Sequence, residues 1–485
     1  MEELDIAAVT KRSIHGVVAL VTRSFFIQVI SFAVNFILTI LLSPAIFGVY
    51  FVVSAVIAFL QYFSDIGLAA ALIQKKEQIT QDDLKTTFTI QQLLVISAVI
   101  IALAVSPFVG KFYKLEPEGI LLFQALVISF FLSSLKTIPS ILLERDLRFE
   151  KLVIPQIVET LVFNLVVLFM ALKGYGVASF TVAVLARGLS GLITIYIIKP
   201  WRIELGFSKS VAKRLLSFGI PFQANSFLAL LKDDLMVAYV GKVLPLAQVG
   251  YIGFAQKWAL MPLRLIMDNI IRITFPSFSR LQHEKKHLGI ALEKSLFVLS
   301  FLIFPALIAL VILFPYFIAI IPKYHKWEPA LLSLGFFAVN AGLSSISTPL
   351  TNALNAIGKI KITLYLMVFW TIATWVLTPL GIIWFGFNGF ALMSAVIAVS
   401  VVAVVYIAKK HIEFSIIKTV HSPLVASIIM GVILYFASKY VIHEIFGFIA
   451  MCIVGALIYF VSMWVIARNE LQEDIATVRK QFVKS

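Results

Sequence analysis

Charged side chains interrupt the apolar stretches of this chain, and more of them are basic than acidic. Those within or at the edges of its first eight apolar segments are Arg23, Asp65, Lys136, Glu159, Arg187, Lys232, Asp233, Asp234, Lys257, Arg264, Asp268 and Arg272. A charge in hydrocarbon is costly, so such residues usually face a water-filled cavity or a partner. Arginine and lysine suit an anionic ligand, because both form charge-assisted hydrogen bonds with phosphate or carboxylate oxygens. The sequence therefore predicts a polar transport route built mainly by the first eight segments.

Helical periodicity places polar residues on shared faces of three segments. One stripe of the eighth segment, within an arc of roughly 80° at the helical repeat, carries Lys257, Arg264, Asp268 and Arg272. One face of the second segment carries Ser54, Gln61 and Asp65. One face of the first segment carries Ser24, Gln28, Ser31, Asn35 and Thr39, with Arg23 off its edge. We predict that these stripes line one basic cavity in the cytoplasmic half of the membrane.

A purely structural explanation competes with the binding role at the shallower positions. Arg23, Lys136 and Arg272 lie close enough to the membrane edge for their charged ends to reach the interface. Arg187 and Lys257 lie deepest, so a binding role is favoured for these two.

Local ion pairs are a second alternative. Lys232 can pair with Asp233 or Asp234 near the outer surface. Arg264 can neutralise Asp268, which lies one helical turn away. The acidic residues of the route either carry a coupling proton or Na⁺ or balance the basic ones, and they are Asp65, Asp268, Asp233, Asp234 and Glu159.

The elements that position these residues are membrane-spanning helices. With 61% hydrophobic residues, 13% charged residues and a mean hydropathy of +1.00, the 485-residue chain lies far from soluble composition. A spanning helix needs about 20 apolar residues. Fourteen stretches meet that need, and they are 16–41, 47–72, 87–109, 119–142, 152–172, 177–198, 215–240, 247–273, 292–321, 329–354, 360–384, 387–408, 423–441 and 445–467. The expected class is an all-α integral membrane protein.

Loop charges set the orientation. One side of the predicted membrane carries 26 lysine and arginine residues and the other carries 7. The positive-inside rule makes the richer side cytoplasmic, and the even number of segments then puts both termini there. The net charge of +15 is thus mainly a topology signal, and its distribution argues against a nucleic-acid ligand.

Two helix corners resemble each other. Pro44-x-x-x-Gly48 joins the first two segments, and Pro245-x-x-x-x-Gly250 joins the seventh and eighth. The repeat of roughly 200 residues predicts a six-helix lobe at 1–214, a second at 215–422, two extra helices at 423–467 and a cytoplasmic tail at 468–485. Gly219 and Pro221 predict a break near the start of the seventh segment.

Longer stretches resemble the Wzx-like oligosaccharide flippases of the multidrug/oligosaccharidyl-lipid/polysaccharide superfamily. The most specific stretch contains SDIGLAAALIQ followed by an acidic turn, within 41–94; the others are 138–152, 215–282 and 351–359. The resemblance implies two pseudo-symmetric lobes forming a V around a central cavity. It also implies alternating access that moves an undecaprenyl-diphosphate-linked oligosaccharide from the inner to the outer leaflet of the cytoplasmic membrane.

On that resemblance, the basic residues of the predicted cavity face the diphosphate and sugars. Arg187, Lys257 and Arg264 are predicted to hold the phosphates, and the remaining lining residues are Arg23, Arg272, Lys136 and Gln61. Expected partners are the lipid-linked oligosaccharide and the bilayer, with a polysaccharide polymerase and chain-length proteins as further candidates.

Two other functions compete with this one. A cation-coupled small-molecule (multidrug) exporter of the same superfamily would favour acidic and aromatic residues over a basic cavity. A membrane enzyme would need a sizeable outer loop or cytoplasmic domain, and no connection is long enough for one, so no catalytic activity is expected. The single cysteine, Cys452, and the absence of metal-ligand spacing among histidines predict neither metal nor cofactor.

Overall fold

The regular structure of this chain is helical. The computed structural model describes residues 27–75 and 77–467, and their regular elements are α-helices and one 3₁₀ turn. Helices satisfy every backbone N–H and C=O group within a segment, which hydrocarbon surroundings demand. The predicted all-α class is confirmed.

In the first half of the described chain the helices are α1 (Ile27–Leu41), α2 (Pro44–Asp65), α3 (Leu68–Gln74), α4 (Gln81–Ala104), α5 (Ser106–Tyr113), α6 (Pro117–Ser134), α7 (Thr137–Arg145), α8 (Phe149–Leu172), α9 (Ala178–Ile198), α10 (Lys209–Lys232) and α11 (Asp234–Val243). The remainder are α12 (Leu246–Arg280), α13 (Lys285–Ile320), a 3₁₀ turn (His325–Ala330), α14 (Leu331–Ala356), α15 (Ile360–Phe385), α16 (Asn388–Ala398), α17 (Val401–Lys409), α18 (Ile416–Val441) and α19 (Ile445–Ile466).

Eleven spans of the described chain are long and apolar enough to cross a bilayer. The predicted first, seventh and eighth segments are not among them. Only the second half of the first segment is described, and charged residues dilute the seventh and eighth. The predicted count of fourteen spans stays a prediction.

Packing divides the chain into two units, and the boundary between them in the sequence falls between Gly250 and Tyr251. The predicted lobes meet instead at residue 214. The two boundaries differ because α10 and α11 pack against α2, α3 and α4 in the first unit. The lobes and their V-shaped arrangement rest on the sequence repeat and the resemblance, and they stay predictions.

The two similar corners touch within the first unit. A Cβ atom at Gly48 would overlap the carbonyl of Leu246, and one at Gly250 would overlap the carbonyl of Pro44. Each glycine therefore makes room for the backbone of the other corner, so these glycines serve close helix approach.

The predicted break in the seventh segment is misplaced. α10 continues through Gly219 and Pro221 and ends at Lys232, and Asp233 separates it from α11. Gly219 instead permits close packing, because a Cβ there would overlap the carbonyl of Ile66.

Candidate functional site

Three of the predicted residues meet in the first unit. Lys136 lies in the turn between α6 and α7, Glu159 on α8 and Arg187 on α9. The Lys136 ammonium donates a hydrogen bond to Glu159 Oε1, and Arg187 Nε lies 3.7 Å from Glu159 Oε2. These residues, called the α8 triad below, carry two positive charges and one negative charge.

A proline positions Lys136. Pro139 has no N–H group, so the carbonyl of Leu135 loses the hydrogen bond that a continuous helix would give it. The Tyr196 hydroxyl of α9 donates to that carbonyl at 3.1 Å instead. The helix is therefore interrupted between Ser134 and Thr137, and Lys136 in the interruption projects its ammonium to α8.

A glycine positions Glu159. A Cβ atom at Gly191 of α9 would lie 2.5 Å from Glu159 Cγ and would overlap the carboxylate. The carboxyl group therefore fills a slot against the α9 backbone that only glycine leaves open. Glu159 is 12% exposed and Lys136 is 15% exposed, while Arg187 is 52% exposed.

The α8 triad borders a cavity of about 320 Å³. Its polar lining consists of Lys136, Ser140, Gln156, Glu159, Thr160 and Arg187. Gln156 Oε1 is buried and has no hydrogen-bond donor among the described residues. Such an oxygen usually has a protein, water or ligand partner. Two cations beside an unfilled acceptor suit a ligand that combines negative charge with hydroxyl donors.

The predicted stripe of the first segment reaches α8 at one residue. Asn164 Nδ2 lies 3.4 Å from Ser31 Oγ and 2.8 Å from the carbonyl of Thr160. Thr160 itself lines the cavity, so Ser31 of α1 lies close to the edge of the site.

The charged stripe of the eighth segment lies on α12, in the second unit. Lys257, Arg264 and Asp268 are all exposed there. No ion pair joins Arg264 to Asp268 in the part of the chain that the structure describes, so the neutralisation that their spacing permits does not occur in this conformation. The side chain of Arg272, on the same helix, lies outside the described residues.

The other predicted residues are scattered. Gln61 is exposed on α2, and the side chain of Asp65, the last residue of that helix, lies outside the described residues. Arg23 falls in 1–26, also outside them. Lys232 pairs with Asp233 at 3.0 Å, as the local alternative anticipated.

Asp234 begins α11, next to that pair. No group of three or more histidine, cysteine, aspartate or glutamate residues in the described ranges is arranged to hold a metal ion.

The sequence reasoning missed a second ionic cluster. Asp83 on α4 accepts hydrogen bonds from Lys75 and Arg214, each at 2.5 Å, and from the backbone N–H and hydroxyl of Thr80, each at 2.9 Å. This Asp83 cluster ties the start of α4 to α3 and α10. Its signal in the sequence is the capping box Thr80-x-x-Asp83, which lies in the acidic turn after SDIGLAAALIQ.

Comparisons with known proteins agree on a family and a fold. The family model described as "Polysaccharide biosynthesis protein" matches residues 37–331. The "Uncharacterized membrane protein in cps region" of Klebsiella pneumoniae is 26% identical over 346 residues, which is 70% of this chain and 70% of that protein. "Lipopolysaccharide biosynthesis protein WzxC" of Escherichia coli (strain K12) is 26% identical over 334 residues, 67% of this chain and 66% of that protein.

The alignments thus span about two thirds of these relatives' own length. Among solved structures, "Lipid II flippase MurJ, inward closed conformation" superimposes with a TM-score of 0.76 at 16% identity. The superposition covers 93% of this chain and 99% of that chain. At this identity the likeness establishes the fold alone, and the apolar spans of the described chain make it a multi-pass membrane protein.

Proposed function

Because the chain belongs to the polysaccharide biosynthesis protein family, we propose that it is a flippase for undecaprenyl-diphosphate-linked oligosaccharide repeat units. It moves them from the inner to the outer leaflet of the cytoplasmic membrane for surface polysaccharide synthesis. The names of two similar proteins, a lipopolysaccharide biosynthesis protein and a lipid II flippase, support the substrate class.

The α8 triad and its cavity carry the proposal. A diphosphate presents several anionic oxygens, and Lys136 and Arg187 present an ammonium and a guanidinium from two different elements to one space. Such charge-assisted contacts are about twice as strong as neutral hydrogen bonds. Gln156 Oε1 can accept from a sugar hydroxyl beside the phosphates.

Depth in the membrane favours loading from the cytoplasm. The positive-inside orientation puts Lys136 and Glu159 in the cytoplasmic half and Arg187 near the middle. The diphosphate lipid therefore meets the basic residues before it crosses the central plane. Alternating access then carries it to the outer leaflet, with both termini of the protein remaining cytoplasmic.

The α12 stripe is a second set of basic groups for the same substrate. Lys257 and Arg264 are exposed, so either can bind phosphate without first breaking an ion pair to Asp268. Energy coupling is assigned to the acidic residues as H⁺ or Na⁺ carriers or as counter-charges, with no resident cofactor. A polymerase and chain-length proteins are the proposed recipients of the product.

A flipping assay tests the proposal. Full-length protein in proteoliposomes is given a fluorescent polyprenyl-diphosphate oligosaccharide, and its appearance in the opposite leaflet is followed. We expect Arg187→Ala to lower the rate at least tenfold, because one charge-assisted hydrogen bond is worth about 1.5–3 kcal/mol. Lys257→Ala and Arg264→Ala are expected to abolish surface polysaccharide in cells while the protein still inserts.

Lys173→Ala is the matched control, because Lys173 is an exposed lysine at the end of α8 outside the cavity. Its rate is expected to equal that of the wild type. If the wild-type protein fails to flip the lipid but exports cationic dyes, the proposed flippase function is wrong and the small-molecule exporter takes its place.

A further inference from the structure

Glu159 occupies the place that a phosphate would take between Lys136 and Arg187. We propose that Glu159 is an internal substitute anion, which the diphosphate of the substrate displaces on binding and which reclaims both cations on release. This inference rests on the proposed function and specifies how the same site exchanges its anion.

The contacts of the carboxylate resemble those expected of a bound phosphate. Each oxygen faces a different cation: Oε1 accepts from Lys136, and Oε2 lies 3.7 Å from Arg187 Nε. Two neighbouring phosphate oxygens can take the same two partners. Phosphate and carboxylate therefore compete for one pair of cations.

The carboxylate has acceptor capacity that its present partners leave unused. An ionised carboxylate can accept about four hydrogen bonds, and Glu159 receives one, from Lys136, among the described residues. The 3.7 Å approach of Arg187 is longer than a charge-assisted hydrogen bond, which spans about 2.7–2.9 Å. A diphosphate with more charge and more acceptor oxygens offers both cations better contacts.

The surroundings provide room for the exchange. The cavity of about 320 Å³ adjoins the carboxylate, whereas a single water needs only about 10–15 Å³. Gly191 blocks movement toward α9, because the carboxyl group already lies against its backbone. The displaced carboxylate therefore moves into the cavity, away from the α9 backbone.

The substitute anion has a functional consequence. Lys136 is 15% exposed, so leaving it unpaired after release would be unfavourable. The return of Glu159 removes that cost and helps expel the product. Substrate affinity is therefore moderate, and turnover is faster than it would be at a site with two unpaired cations.

Anion binding to a charge-neutral variant tests the inference. The purified full-length chain in lipid nanodiscs is titrated with inorganic pyrophosphate, and Kd is measured for wild type and for Glu159→Gln. We expect Kd to fall about tenfold, the change that ~1.4 kcal/mol produces. The flipping rate of the same variant is expected to fall, because release becomes slower.

The control is Glu150→Gln, which removes the same charge from an exposed position in the first turn of the same helix. Its Kd is expected to equal that of the wild type. If Glu159→Gln misfolds, Glu159→Asp takes its place, because it shortens the side chain and weakens its contacts. This variant is expected to bind pyrophosphate more tightly than the wild type. An unchanged or higher Kd in the folded variant overturns the inference.

The two proposals fail differently. Wild-type protein that flips no lipid-linked oligosaccharide, or Arg187→Ala that flips it normally, removes the proposed function or its site. The other result has two parts: the wild type flips lipid and Arg187→Ala does not, yet Glu159→Gln binds pyrophosphate no more tightly than the wild type. That result contradicts only the role of Glu159 and leaves the proposed function in place.

Discussion

The first unit contains two carboxylates that are each held by one lysine and one arginine, yet their surroundings differ. Asp83 is fully buried and accepts from four donors: Lys75, Arg214 and both the backbone and the hydroxyl of Thr80. Glu159 has one hydrogen-bond donor, one looser ion pair and a cavity at its side. The charge composition is the same in both.

The difference teaches that saturation by donors, more than charge, separates a structural carboxylate from an exchangeable one. A carboxylate that already has four donors gains nothing from a new partner and loses much when it moves. One that has two partners can trade them for another anion at little cost. The Asp83 cluster therefore fixes helices, and the α8 triad can take part in transport.

The largest expected effect is on the Asp83 cluster. Asp83→Ala removes all four accepted hydrogen bonds and leaves Lys75, which is 9% exposed, without its anionic partner. Breaking one partner of a buried ion pair costs about 3–5 kcal/mol, so we expect a large fall in the unfolding temperature of the detergent-solubilised protein. Glu159→Ala should lower it much less. Equal losses in the two variants would contradict the distinction between saturated and exchangeable carboxylates.

A smaller fall in unfolding temperature is expected for a substitution at Gly191. This substitution changes the packing around Glu159 without changing any charge. Gly191→Ala puts a methyl group where the Glu159 carboxylate lies, and such overpacking costs about 1–3 kcal/mol. The carboxylate is pushed off Lys136, so pyrophosphate binding should tighten while the unfolding temperature falls.

Gly335→Ala on α14 is the control, because no atom lies within 4 Å of a Cβ there. It should leave pyrophosphate affinity unchanged and should not lower the unfolding temperature, because alanine favours a helix more than glycine does. Weaker pyrophosphate binding in Gly191→Ala would show that the slot holds Arg187 and Lys136 in place and that Glu159 does not compete for them.

Sequence reasoning identified the residues of the α8 triad but not their relation. Depth in the membrane marked Lys136, Glu159 and Arg187, because a charge in an apolar segment is visible in the sequence. Sequence reasoning also assigned Arg187 and Arg264 the same phosphate-holding role, although Arg187 faces a carboxylate and Arg264 has no ion pair with Asp268 in the described chain. Only the packing of α8 on α9 makes that distinction.

The sequence is equally limited in predicting how the helices of the fold pack. Apolar length predicted where most spanning helices lie, but not that α10 and α11 pack in the first unit. The interruption at Lys136 depends on Pro139 together with Tyr196, 57 positions further along the chain. The Asp83 cluster depends on Arg214, which lies 131 positions beyond Asp83 in the sequence. Such contacts carry no local pattern that one sequence reveals.

The smallest change in unfolding temperature is expected for an ion pair that is exposed and whose carboxylate has few hydrogen-bond donors. Lys232 pairs with Asp233 at the break between α10 and α11, where Asp233 is 65% exposed. Exposed pairs contribute about 0.2–1 kcal/mol, so Lys232→Ala should change the unfolding temperature little and should leave pyrophosphate affinity unchanged. Added salt should narrow even that difference, because salt screens exposed charges. A fall in unfolding temperature as large as that of Asp83→Ala would mean that the break between α10 and α11 depends on the ion pair. Burial and the number of donors would then not predict how much Asp83, Glu159 and Asp233 each contribute to stability.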